Sequence, residues 1–70
     1  MKTLKINGTE KNFPAEQLPA TLKQLLEQLG VNAATVVAEV DGQIIERANF
    51  DQTQLAQGQS IELVRFVPGG

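Results

Sequence analysis

Pro68, Gly69 and Gly70 close the sequence behind the apolar run from Ile61 to Phe66. The group such an ending could offer for chemistry is a main-chain carboxylate. Gly69 and Gly70 carry no Cβ, so they pass through a channel that any side chain would block. Pro68 biases Val67 toward an extended conformation. Fully extended, residues 67 to 70 reach roughly 13 Å beyond the last strand, at about 3.3 Å each. A free carboxylate is a poor electrophile and needs activation, for example as an acyl-adenylate. Once activated it can accept a sulfur nucleophile and become a thiocarboxylate, or accept an amine and form an isopeptide bond. Neither route needs a catalytic side chain on this protein. The plainer alternative is a frayed end with no task.

The side chains offer little competing chemistry. The 70 residues contain no Cys and no His, which removes Cys nucleophiles, Cys–His pairs, Ser–His–Asp triads and ordinary zinc sites. Eight acidic residues are scattered, and Glu39 with Asp41 is the tightest acidic spacing. That pair flanks an Asp41-Gly42 turn and reads as a solvated hairpin edge rather than a catalytic or Mg²⁺ site. No catalytic or metal-binding residue is therefore assigned, and an enzyme acting alone is not expected. The net charge is −2, with six basic residues spread along the chain and no Tyr or Trp to stack on bases. Nucleic-acid binding has little support in that pattern. The opening "MKTLKINGTE" lacks the apolar centre of a signal peptide, and no stretch approaches membrane-spanning length. A soluble cytoplasmic protein without membrane partners is expected, and Asn7-Gly8-Thr9 reads as a turn rather than a glycosylation site.

The elements that must hold such a tail follow from hydrophobic spacing. Leu4 and Ile6 alternate with polar residues ahead of Asn7-Gly8 and "TEKNF"; Asn-Gly between two extended runs is a strong hairpin signal. Pro14 ends the second strand because it fixes φ and donates no ladder hydrogen bond. In "PATLKQLLEQLG", Leu22, Leu25, Leu26 and Leu29 share one helical face. Thr21 is the expected N-cap, Gln24 completes a capping box, and Gly30 supplies the left-handed stop. "TVVAEV" and "QIIE" flank Asp41-Gly42 as a second hairpin. Phe50 and Leu55 fall in an irregular stretch, expected to be buried as satellites under a loop. Gly58 precedes the last strand, "SIELVRF".

One amphipathic helix cannot bury its face alone, so it should lie across one face of a mixed sheet. The first and last strands are expected to pair in parallel at the centre. The fold class is α+β, the β-grasp or ubiquitin-like arrangement, with residues 1–66 as the domain and 67–70 as a flexible tail. A chain of this length is near the size where one core only just stabilises a fold.

The last strand breaks the half-buried rule. Ile61, Leu63 and Arg65 share one face; Glu62, Val64 and Phe66 share the other. With Ile61 and Leu63 facing the helix, Val64 and Phe66 project from the helix-free side and suggest a docking patch. The alternative is a bulge or twist that returns Phe66 to the core.

"TLKQLLEQLG", "VAEVDGQIIERANF" and "LAQGQSIELVRFVPGG" together resemble the ThiS family, the ubiquitin-like sulfur carriers of thiamin thiazole biosynthesis. The correspondence extends back through "LKINGTE" and covers essentially the whole chain. Arg47 and Phe50 match an arginine and an aromatic of the family pattern. Glu46 stands where proline is usual, and Gly58-Gln59 where Gly-Asp is usual. The resemblance implies that an E1-like adenylating enzyme (ThiF-like) activates the terminal glycine with ATP and Mg²⁺, with no cofactor bound to the carrier itself. It further implies that a cysteine desulfurase relay supplies sulfur and that a thiazole synthase (ThiG-like) takes it. On this chain Gly70 would bear the cargo, with Gly69, Pro68 and Val67 as the tail. Val64, Phe66 and Val67 would dock partners, and Arg65 would pair with an acidic partner group or remain a solvated strand charge. A Gly-Gly end is shared with ubiquitin and with the small subunit of molybdopterin synthase. A protein modifier, a permanently inserted subunit and an interaction domain with an inert tail are thus the competing readings.

Overall fold

The computed structural model describes residues 1–14 and 16–66. Among these residues two strands, one helix and three strands follow in order: β1 (Lys2–Ile6), β2 (Thr9–Phe13), α1 (Leu22–Leu29), β3 (Val36–Val40), β4 (Gln43–Ile45) and β5 (Ser60–Arg65). Short 3₁₀ turns cover Ala33–Thr35 and Arg47–Asn49. Both hairpins turn through two residues with positive φ, Asn7 (51°) with Gly8 (81°) and Asp41 (51°) with Gly42 (84°). Positive φ at both central residues is the type I′ turn, whose twist matches the flanking strands. β2 ends at Phe13, immediately before Pro14.

The helix begins and ends where its caps dictate. The Thr21 side chain accepts the Gln24 N–H at 3.2 Å. Gln24 reaches back, but its Oε1 accepts the Ala20 N–H at 2.9 Å, one residue ahead of the Thr21 N–H that a capping box uses. The reason lies in the approach of the chain. Thr21 bridges Gln54 in antiparallel fashion, and Leu55 N–H donates to Ala20 O while Leu22 N–H donates to Thr53 O, each at 2.9 Å. This strap holds the entry extended and brings the Ala20 N–H within reach of Gln24. At the other end Gly30 is left-handed (φ 71°). Its N–H donates to Glu27 O, and the Val31 N–H donates to Leu26 O at 2.9 Å, the paired bonds of a Schellman stop.

The sheet order is β2-β1-β5-β3-β4. β1 and β5 run parallel at its centre, with Lys5 beside Ser60 and Ile6 beside Ile61. The neighbours β2 and β3 are antiparallel to them. Leu22, Leu25 and Leu26 bury their side chains with Leu4, Phe13, Val36, Ala38, Val40 and Ile61. Each such burial contributes about 1.5–3 kcal/mol before entropy is counted. The chain therefore has the α+β, β-grasp architecture, with α1 on one face of a five-stranded mixed sheet.

Phe50 and Leu55 correct the expectation of satellites: both belong to the same buried cluster as the helix and strand residues. The geometry explains why. The eight residues of α1 give a helix about 12 Å long. The five strands span roughly 19 Å at their usual spacing. One short helix leaves part of the sheet uncovered, and the loop bearing Phe50 and Leu55 fills that part. Among the described residues no helix is long and apolar enough to cross a membrane.

Candidate functional site

β5 alternates as its sequence requires. Ile61 is fully buried and Leu63 is partly buried against the core. Glu62 and Val64 face the opposite way, onto the side of the sheet without a helix. The strand ends at Arg65 rather than Phe66, yet the Phe66 N–H still donates to Thr35 O at 2.8 Å. Val64 is 60% exposed and Phe66 46%. No twist returns Phe66 to the core. Arg65 is also exposed, opposite Val36 on the helix side where the sheet runs out.

Two further apolar residues join this surface. Val37 lies directly opposite Val64 across β3 and β5. Ile44 lies on β4 opposite Glu39, which in turn is opposite Glu62. Val37 is 44% exposed and Ile44 67%. The helix-free face thus carries Val37 and Val64 in one row, with Phe66 beyond Val64, and Ile44, Glu39 and Glu62 in the adjoining row. Sequence reasoning nominated Val64 and Phe66 but not Val37 and Ile44. A signal was available: the two-residue turn at Asp41-Gly42 sets Val40 opposite Gln43, so inward-facing Ala38 and Val40 force Val37 and Glu39 outward, with Ile44 beside Glu39.

The turns of both hairpins also hold β5. Asn7 Oδ1 accepts the Leu63 N–H at 2.7 Å, and the Asn7 N–H donates to Ile61 O at 2.8 Å. Asp41 Oδ1 accepts the Ser60 N–H at 2.9 Å, and the Asp41 N–H donates to Ser60 O at 2.7 Å. Asp41 is therefore more than a solvated hairpin edge. The pairing of β1 with β5 stops at Ile61, and Asn7 extends the hydrogen bonding to Leu63 beyond it. The strand that launches the tail is thereby fixed from both sides.

Val67, Pro68, Gly69 and Gly70 lie outside the described residues. Among the described residues, the helix-free face supplies no nucleophile and no paired acid and base; what it can do is exclude water against a partner. A second surface feature is a depression of about 260 Å³ lined by Lys23, Ala33, Arg47, Ala48, Phe50 and Asp51. Phe50 forms part of the core there, and Arg47 and Lys23 are exposed at its rim. It is the seam where the 3₁₀ turn packs beside α1.

Comparison with known proteins places this geometry in context. The model of the ThiS family matches residues 4–70. A crystal structure of a thiamine biosynthesis protein (ThiS) from Geobacter metallireducens superposes with a TM-score of 0.80 at 30% identity, covering 97% of this chain and 99% of that one. A solution structure of a thiamine biosynthesis protein from the same organism gives 0.75 at 34% identity, covering 97% and 87%. A protein described as thiazole synthase from Paramagnetospirillum magneticum is 36% identical over 67 residues, which make up 96% of this chain and 20% of that protein. The chain spans about a fifth of the length of that curated relative. With a match that runs from the first strand through Gly70, and with the same fold at 30% identity or better, the chain belongs to the ThiS family.

Proposed function

We propose that this chain is a sulfur carrier whose working group is the carboxylate of Gly70. An E1-like adenylating enzyme joins that carboxylate to the α-phosphate of ATP, with Mg²⁺ on the nucleotide, and releases pyrophosphate. The outer sulfur of a persulfide from a cysteine desulfurase relay then adds to the acyl carbon and AMP leaves; a thiol attacks the resulting acyl disulfide at its relay-side sulfur, forming a new disulfide and releasing the carrier's sulfur. The product is a thiocarboxylate, which donates its sulfur to thiazole synthesis in thiamin biosynthesis. The chain itself is a co-substrate and not an enzyme. Its β-grasp domain is the handle, Val64 and Phe66 belong to the surface that the activating enzyme and thiazole synthase grip, and residues 67–70 enter their active sites.

The observation that carries this reading is the family match over residues 4–70, which includes the Gly69-Gly70 ending. The likeness to a protein described as thiazole synthase favours thiazole formation over a molybdopterin-type acceptor. The test is intact-mass analysis after incubation with ATP, the adenylating enzyme and a sulfur source. Exchange of one oxygen for sulfur on Gly70 is expected. Oxidation of Met1 adds nearly the same mass, so a chain lacking Gly70 serves as the control. No exchange at Gly70 would remove the carrier reading, and lysine-linked adducts of higher mass would replace it with a protein modifier.

A further inference from the structure

Glu39 and Glu62 stand directly opposite each other on β3 and β5, on the helix-free face. Like charges in directly opposed positions work against a sheet. Their surroundings make the arrangement costlier still when the face is covered. Ile44 is opposite Glu39 on its other side, and the Val37–Val64 pair forms the next outward-facing row. A protein that covers both Ile44 and Val64 must also cover Glu39, which is already half-buried. Two carboxylates desolvated together without a counter-charge are strongly unfavourable. The occupant of this face must bring a cation with it.

We infer that Glu39 and Glu62 together receive an arginine of the partner protein, set within the apolar contact made by Val37, Ile44, Val64 and Phe66. Opposed strand positions hold their Cβ atoms roughly 5 Å apart. Two carboxylates at that spacing suit the planar, multi-donor fork of a guanidinium better than a point-like ammonium. Guanidinium is also less strongly hydrated, so it enters an apolar contact more readily. The same pair acts against self-association through this face, because two copies related by a twofold axis would bring four carboxylates together. The basic group that shares the face, Lys5, sits beyond β5 on β1 beside Ser60 and opposite Glu10. The acidic pair is thus a device for choosing the partner, and the apolar residues supply the contact area.

The choice of thiazole synthase as the probe rests on the carrier reading above. Its binding to the full chain is measured at low and at high salt for wild type, for the Glu39→Gln, Glu62→Gln double variant and for Glu62→Arg. The double variant should bind roughly tenfold or more weakly at low salt, with most of its salt dependence gone. Its melting temperature should equal or exceed that of wild type, because the repulsion within the sheet is removed. Arginine-specific modification of the synthase alone should weaken binding of wild type and leave the double variant little changed. Equal affinity and equal salt dependence for wild type and double variant would overturn the inference. So would a chain that acquires sulfur on Gly70 yet does not bind the synthase, or a wild-type chain that dimerises through Val64. Carboxylate-dependent binding without sulfur on Gly70 would support this docking mode and count against the carrier reading alone.

Discussion

The Phe66 N–H donates to the carbonyl oxygen of Thr35 at 2.8 Å. This bond is the last anchor of the described chain before the tail, and it extends the β3–β5 pairing one residue past the end of β5. Thr35 is itself tied back to the turn after the helix. The Asn32 carbonyl accepts both the Thr35 N–H at 3.0 Å and the Thr35 hydroxyl at 2.7 Å, while Asn32 Oδ1 accepts the Ala34 N–H at 2.9 Å. The position of Phe66 is thereby coupled to the C-terminal end of α1 through one short turn.

Asn32→Ala removes the cap of that turn. Loss of a side-chain cap costs about 1 kcal/mol, and the Thr35 carbonyl is held less firmly, since only the two bonds to the Asn32 backbone carbonyl remain. The expected result is a domain less stable by that amount, with faster amide exchange at Phe66 than the global loss accounts for. Exchange at Leu25, deep in the helix, should rise only in proportion to the global change.

Asn7 does two things, and two substitutions separate them. Its φ of 51° is left-handed, and its side chain accepts the Leu63 N–H. Asn7→Gly keeps the conformation and loses a solvent-accessible hydrogen bond, at a cost of about 0.5–1.5 kcal/mol. Asn7→Ala adds strain of roughly 1–2 kcal/mol from its Cβ in the left-handed region. Urea unfolding should rank wild type above Gly and Gly above Ala. An Ala variant as stable as the Gly variant would mean that the turn relaxes.

These two residues also show where sequence reasoning stops. The glycines, the Asn-Gly and Asp-Gly turns and the leucine stripe act through neighbours in the chain, so both hairpins, the helix and its Gly30 stop are legible without a structure. A mixed sheet against one helix face follows from the need to bury that face, and the parallel pairing of first and last strands is expected as part of the β-grasp arrangement. The bonds from Asn7 to Leu63 and from Asp41 to Ser60 join residues far apart in sequence, and no local pattern announces them. The placement of Phe50 depends on how much sheet α1 leaves bare, which is a matter of dimensions rather than periodicity. Val37 and Ile44 were hidden for another reason: in "TVVAEV" and "QII", consecutive apolar residues blur the alternation that separates the two faces.

Leu25→Ala tests how little reserve the single core holds. The side chain is fully buried, and such truncations cost about 2–5 kcal/mol. A domain of this size is stable by only about 4–10 kcal/mol in total. The variant should be partly unfolded near physiological temperature, and its urea midpoint should fall by about a fifth or more. A smaller effect would mean that the loop around Phe50 collapses into the space.

Val64→Thr and Phe66→Ala separate docking from folding. Threonine keeps the branched shape that suits a strand and exchanges one methyl for a hydroxyl, so at an exposed site stability should stay within about 0.5 kcal/mol. Interface anchors cost about 1–2 kcal/mol or more when truncated, which is a factor of roughly 5–30. On the proposed function, adenylation of Gly70 should show that factor for Phe66→Ala, and a smaller one for Val64→Thr, as a raised KM with kcat nearly unchanged. That split is the signature of lost ground-state binding. If kcat falls instead while KM holds, Phe66 acts by aiming the tail through its bond to Thr35 rather than by gripping the enzyme. Val37→Thr decides between these outcomes for the face as a whole. Val37 makes no part of the tail exit and touches the partner only if the whole patch, and not Phe66 alone, is covered.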